Sequence, residues 1–339
     1  MHKNDRFTFN HYSDPQWHAT NTRARAYTYV PDEIFEPVLS TLQKHAQDIL
    51  KFGDVLMIES LKAGAGRAWT WHETLSAVQA VWQDMDPRFG DFAQEMLDNA
   101  ALHYSEVPKG HGKGRCFDDF AEIDCEGNIN DPVCAVHESG HLMAATHGAD
   151  RYDSVSAPNI REIQAMFVQE HAYDWLQRQT QSDDEVASIK RHRMTYYTGI
   201  LMNVPLYMYM MDRPGSRKAN LSETFAHWAV DCRLASHLSH DHDGNRKGPQ
   251  HLHTHPFATM MAPALYQRFQ DKDAEGKKRI LAVMYEGGAN TTLTELLSAF
   301  DVETPDDVRV LAEETCHNFK GQIADCCTKA RNSKTCLTI

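Results

Sequence analysis

Five residues, His137-Glu-Ser-Gly-His141, sit inside the apolar run VCAVHESGHLMAATHG and constrain this chain more than any other feature. On a helix, residues four apart share a face, so His137 and His141 can hold one metal ion between them. Glu138 then lies beside the open coordination position, where it can take a proton from a water held there. Val133, Ala135, Val136, Leu142 and Ala145 surround the motif with residues a buried helix tolerates, and Asp131-Pro132 supplies a helix start. The chemistry therefore predicts a helix over 133–147. The bland alternative is a pair of hydrogen-bonded core histidines, since the chain holds 20 histidines in 339 residues and a short pattern can arise by chance.

A two-histidine site needs a third protein ligand. The segment NIREIQAMFVQEHAYDWL (159–176) reads as a helix, its apolar stripe marked by Ile160, Ile163, Met166, Phe167 and Trp175. Glu162 opens it and would complete a His2Glu set, the donor set of hydrolytic zinc enzymes. Glu170, about two turns further on, is the rival. A solvated first-turn glutamate favoured by the helix dipole is the plain alternative for Glu162.

Helical patterns dominate the rest, at about 32–51, 71–84, 89–103, 184–211, 221–238, 256–271, 276–287 and 305–331. The one extended stretch is 114–130, with a turn at Gly127-Asn128. The expected fold is mainly α, with a small β edge just before the metal helix. Such an edge could accept an extended peptide through main-chain hydrogen bonds. The most apolar stretch, 194–211, carries Asn203, Pro205 and several tyrosines; it reads as a buried helix, with the wall of a substrate cavity as a second use.

A net charge of −13 argues against a phosphate-binding surface, although Arg67, Lys109, Lys113 and Arg115 lie loosely grouped before the motif. Neither nucleic acid nor membrane is an expected partner, and the chain is read as a monomer. Its opening residues lack an apolar signal-type run, which points to a cytoplasmic protein with free thiols.

A second histidine-rich segment runs from 237 to 257. His237, His240 and His242 read as a solvated loop. For His251, His253 and His255, one reading places a histidine over the metal, donating a hydrogen bond to the oxyanion formed during attack on a carbonyl; a second metal site is the other.

The order of these segments resembles the thimet oligopeptidase and oligoendopeptidase F family of zinc metallopeptidases, from about Trp69 to Asp325. Residues 69–99 look like that family's helical lead-in, and KGHGKGRCF (109–117) like its approach to an edge strand. INDPVCAVHESGHLM (129–143) is similar to its metal helix, and REIQAMFVQEHAYDWL (161–176) to the helix of its glutamate ligand. HLHTHPFATMMAPALYQRF (251–269) resembles its cleft-lining segment, and 284–314 its helical close. The resemblance implies a helical zincin-like catalytic domain over 69–331 with a deep cleft. An N-terminal helical segment (1–68) precedes it and a short tail (332–339) follows. It also implies one Zn2+ per chain held by His137, His141 and Glu162, Glu138 as general base, and His251 in contact with substrate. His253 and His255 are extra histidines beside it. The family's cleft tyrosines look replaced by Ala258, Met260 and Ala262, and its second glutamate on the ligand helix by Gln169. The expected activity is zinc-dependent hydrolysis of a peptide or amide bond in a short substrate. A metalloenzyme of the same fold acting on a small molecule, and a non-catalytic binding protein, are the alternatives.

Overall fold

The computed structural model describes residues 33–34, 37–38, 40–42, 44–45, 67–105, 114–116, 120–146, 157–201, 249–286 and 292–332. The first complete element, helix α1 (Trp71–Met85), opens on a capping box: Thr70 accepts from the Glu73 amide, and Glu73 accepts from that of Thr70. Asp86 ends α1 and caps helix α2 (Pro87–Asp98), with Pro87 in the first turn. The sequence pattern predicts that this helix continues to 103. It stops five residues earlier because Asn99 closes it and Ala100 turns left-handed, at φ 52°. The chain then emerges as strand β1 (Leu102–Ser105).

Strands β2 (Gly114–Cys116) and β3 (Ala121–Asp124) complete a small mixed sheet of order β1-β3-β2. β3 runs parallel to β1 and antiparallel to β2, so β2 is an edge, with Gly114 opposite Ile123 and Cys116 opposite Ala121. The turn after β3 uses Gly127 at φ 73°, and the Asp131 carboxylate accepts the amides of Glu126 and Gly127 at 2.8 Å each. That side chain thus locks the turn from which the metal-motif helix, α3 (Asn130–Thr146), begins.

Helix α4 (Ala157–Gln179) returns alongside α3, and helix α5 (Asp183–Leu201) follows; residues 202–211 of the apolar stretch and the 221–238 pattern lie outside the described residues. Helix α6 (Pro249–Gln270) starts seven residues before the predicted 256 and runs through Pro256 and Pro263. Residues 249–255, outside the helix expected from 256, therefore form its first two turns. Helix α7 (Ala274–Leu281), a π-type turn (Ala282–Glu286), and helices α8 (Leu293–Ser298) and α9 (Pro305–Asn332) close the fold. Helix α4 is the hub, packed on α3 at one side and on α6 at the other. The core between them is made of Ile163, Phe167, Phe257, Met261, Leu265 and their neighbours, all almost fully buried. Among the described residues no helix is long and apolar enough to cross a membrane. Cys116, Cys125, Cys134 and Cys316 are free thiols.

Candidate metal centre

The glycine and serine inside His137-Glu-Ser-Gly-His141 have packing duties. A β-carbon on Gly140 would stand 2.9 Å from both Ala165 Cα and Val168 Cγ1, so only glycine lets α3 and α4 approach this closely. Ser139 accepts a 2.8 Å hydrogen bond from the Trp82 indole and donates to the Val136 carbonyl, which pins α3 against α1. The two contacts fix the rotation of α3 with His137, Glu138 and His141 all buried, each less than a tenth exposed.

Close approach of α4 brings Glu162 to the two imidazoles. His137 Nε2 lies 3.8 Å from Glu162 Oε2, and His141 Nε2 lies 3.6 Å from Glu162 Oε1. The three donor atoms fall within 4.8 Å of one another. Donors about 2.0–2.1 Å from a tetrahedral ion stand about 3.3–3.4 Å apart, so the spacing is slightly open but suits one small cation. Burial pushes both imidazoles below the ordinary histidine range. They are therefore neutral, and a metal ligand must be. The donor set fits a divalent cation.

Burial also pushes the Glu138 carboxyl up to about 8; the charge of Glu162 adds to this and that of Arg161 opposes it. A buried carboxyl whose pKa lies near neutral can exchange protons there. Edge strand β2 closes the other side. A β-carbon on Gly114 would overlap the Glu138 side chain at Cγ, Cδ and Oε1, so this glycine leaves the room Glu138 occupies.

The other sequence-derived residues divide. His255 reaches the centre, its Nε2 3.5 Å from Glu162 Oε2. His251 and His253 belong to α6, but their side chains lie outside the described residues, as do His237, His240 and His242. Glu170, the rival ligand, is buried and ion-paired with Arg193, whose Nε lies 3.1 Å from Glu170 Oε1. Ala258, Met260 and Ala262, the positions matched to lost cleft tyrosines, have no exposure and belong to the core. Tyr266, one turn further along the same helix, has its hydroxyl 3.1 Å from His171 Nδ1.

A candidate oligoendopeptidase F from Bacillus anthracis str. Ames superposes at TM-score 0.62 and 12% identity, over 91% of this chain and 59% of that one. The chain has the fold of the helical zincin-like peptidases. A candidate peptidase from Chlamydophila abortus gives TM-score 0.58 at 12% identity, over 89% of this chain and 57% of that one. PZ peptidase A with inhibitor 2 gives 0.54 at 12% identity, over 91% and 61%. This chain spans less than two thirds of the length of each of these structures. No family model matches the sequence, and no curated protein does.

Within this oligoendopeptidase-like fold, two further residues bear on the donors: Tyr196, which the sequence did not single out, and Gln169, named there only as the replacement of the family's second glutamate. Tyr196, on α5, is half-buried; burial, and then the charges of Glu162, Cys134 and Glu138, hold its phenol well above the usual range. It keeps its proton and can donate a hydrogen bond. The tyrosine-rich character of 194–211 was the available signal. Gln169 is the other: its Oε1 lies 2.8 Å from His137 Nδ1.

Proposed function

We propose that this chain is a zinc-dependent hydrolase that cleaves a peptide or amide bond in a short substrate. The observation that carries the reading is the convergence of His137, His141 and Glu162, with Glu138 beside them, in a fold shared with peptidases. Zinc held by these three side chains would lower the pKa of a water and polarise the scissile carbonyl. Glu138 accepts the proton of the attacking water and passes it to the leaving nitrogen; a carboxyl held near neutral pKa can do both. His255, whose Nε2 lies 3.5 Å from Glu162 Oε2, and Tyr196, whose phenol keeps its proton near the charges of Glu162 and Glu138, are candidates to donate hydrogen bonds to the carbonyl oxygen as it gains charge. His251 and His253 join His255 as candidates for this role. Strand β2 presents an extended backbone beside Glu138, which suits a substrate bound in extended form. We take the protein to act in the cytoplasm as a monomer, with neither nucleic acid nor membrane as partner.

One observation favours a second reading. The positions matched to the family's cleft tyrosines are core alanines and a methionine, so the groups facing the carbonyl differ from those the resemblance implies. The same centre could then act on a small molecule. Digestion of a peptide library by the zinc-loaded protein decides. We expect cleavage by the wild type, and in Glu138→Gln full zinc content with turnover lowered about 10²–10⁴-fold. Full activity in that variant would remove Glu138 from its role. No cleavage by zinc-loaded wild type would favour the small-molecule reading.

A further inference from the structure

Behind His137 lies a chain of buried polar groups that the hydrolytic reading does not use. Its far end is the ion pair between Arg193 and Glu170. Glu170 is a carboxylate there, able only to accept. Tyr197, almost wholly buried, hydrogen-bonds to Glu170 and must therefore donate its proton. The phenol oxygen is left to accept, and Gln169 Nε2 stands 3.5 Å away, a long but aligned donor. The same amide has a second phenol neighbour, Tyr173. The Tyr173 hydroxyl lies 3.1 Å from His192 Nδ1, while His192 Nε2 lies 3.3 Å from Asn130 Oδ1. A neutral His192 that donates to Asn130 must accept from Tyr173, so this phenol too has lone pairs to offer Gln169. Both tyrosines thus direct the Gln169 amino group toward themselves. Its carbonyl is left facing His137 Nδ1 at 2.8 Å. A carbonyl can only accept, so Nδ1 carries the hydrogen and Nε2 carries the lone pair.

We propose that Gln169 is a positioning residue of the metal centre: its amide, oriented by Tyr197 and the Arg193–Glu170 pair, holds His137 as the Nδ1-protonated tautomer with Nε2 ready for a divalent cation. The inference rests on His137 being a ligand. His141 has no such support, since its Nδ1 finds no hydrogen-bond partner among the described residues. The two histidines are therefore unequal, and the order in the site comes from His137. A partner of this kind is commonly worth about 10–100-fold in metal affinity.

The test uses the full chain, isotopically labelled at histidine nitrogen. In metal-free wild type at pH 7.5, long-range proton–nitrogen spectra, assigned against His137→Gln, should show His137 protonated at Nδ1. In Gln169→Met, which keeps the volume and removes the acceptor, zinc affinity measured against a competing chelator should fall about 10–100-fold. Tyr197→Phe removes one hydroxyl and should cost about fivefold; it serves as the decisive variant if Gln169→Met does not fold, as judged by circular dichroism. An Nε2-protonated His137, or wild-type affinity in the folded variant, overturns the proposal. Wild type that binds zinc but cleaves no peptide sinks the hydrolase reading and leaves this one standing. Wild type that binds no zinc sinks the metal reading, and the spectra still decide the tautomer.

Discussion

As the proposed general base, Glu138 has to meet two demands that conflict. Its carboxyl must be dry enough to hold a proton near neutral pH, yet open enough to hand it on. Burial meets the first, and the missing side chain of Gly114 leaves room for the second. Gly114→Ala should therefore displace Glu138 while leaving His137, His141 and Glu162 in place. The expected outcome is wild-type zinc content with kcat/KM reduced by about 10–100-fold, in line with a general base moved off its position. Steady-state kinetics with metal analysis on the same sample would check it. Glu162→Ala should lose zinc altogether on dialysis, because Glu170 is already committed to Arg193 and cannot substitute; retained stoichiometric zinc would show that another donor completes the set. At this scale the sequence was most readable where chemistry repeats on one helix. His137, Glu138 and His141 follow from spacing alone. Gly114, Gln169 and Tyr196 do not, because each matters through a partner 24 to 58 residues away whose facing depends on how the helices pack.

Elements were legible where apolar periodicity ran uninterrupted. The helix read at 159–176 is observed at Ala157–Gln179, and that at 305–331 at Pro305–Asn332. The reading failed where local chemistry and tertiary context disagree. Ala100 is a good helix former, yet it adopts a positive φ so that the chain can leave α2 and enter the sheet. Pro256 looks like a helix start, yet α6 begins at Pro249 and carries residues 249–257 of the histidine-rich segment with it. Helix pairing itself hinges on Gly140. Gly140→Ala puts a methyl group against the α4 backbone, and the resulting overpacking should destabilise the fold by about 1–3 kcal/mol. It should also spread the three donors, so the melting temperature and zinc affinity should fall together. Lowered stability with unchanged zinc affinity would mean that the donors reach each other by side-chain adjustment alone.

For the molecule as a whole, buried neutral histidines make acid the sensitive direction. Burial pushes His192 down to about 4, against about 6.5 for an exposed imidazole. Between those values the unfolded chain binds a proton that the folded chain refuses. The contribution to stability is present above about pH 6.5 and is lost as the pH falls toward 4, amounting to about 3 kcal/mol at full extent. Urea unfolding across that window should show stability dropping with pH, and a folded His192→Gln should show a shallower drop; an identical slope would assign the acid sensitivity to other groups. His171, also held below its ordinary range, steepens the same trend. The organisation that produces these buried groups reaches the end of the chain. Arg193 not only pairs with Glu170 but donates from Nη1 to Gln322 on α9, at 3.2 Å. A proteolytic nick in the last helix, far from any reacting atom, would thus loosen the grip on Arg193 and be felt as a weaker hold on the ion.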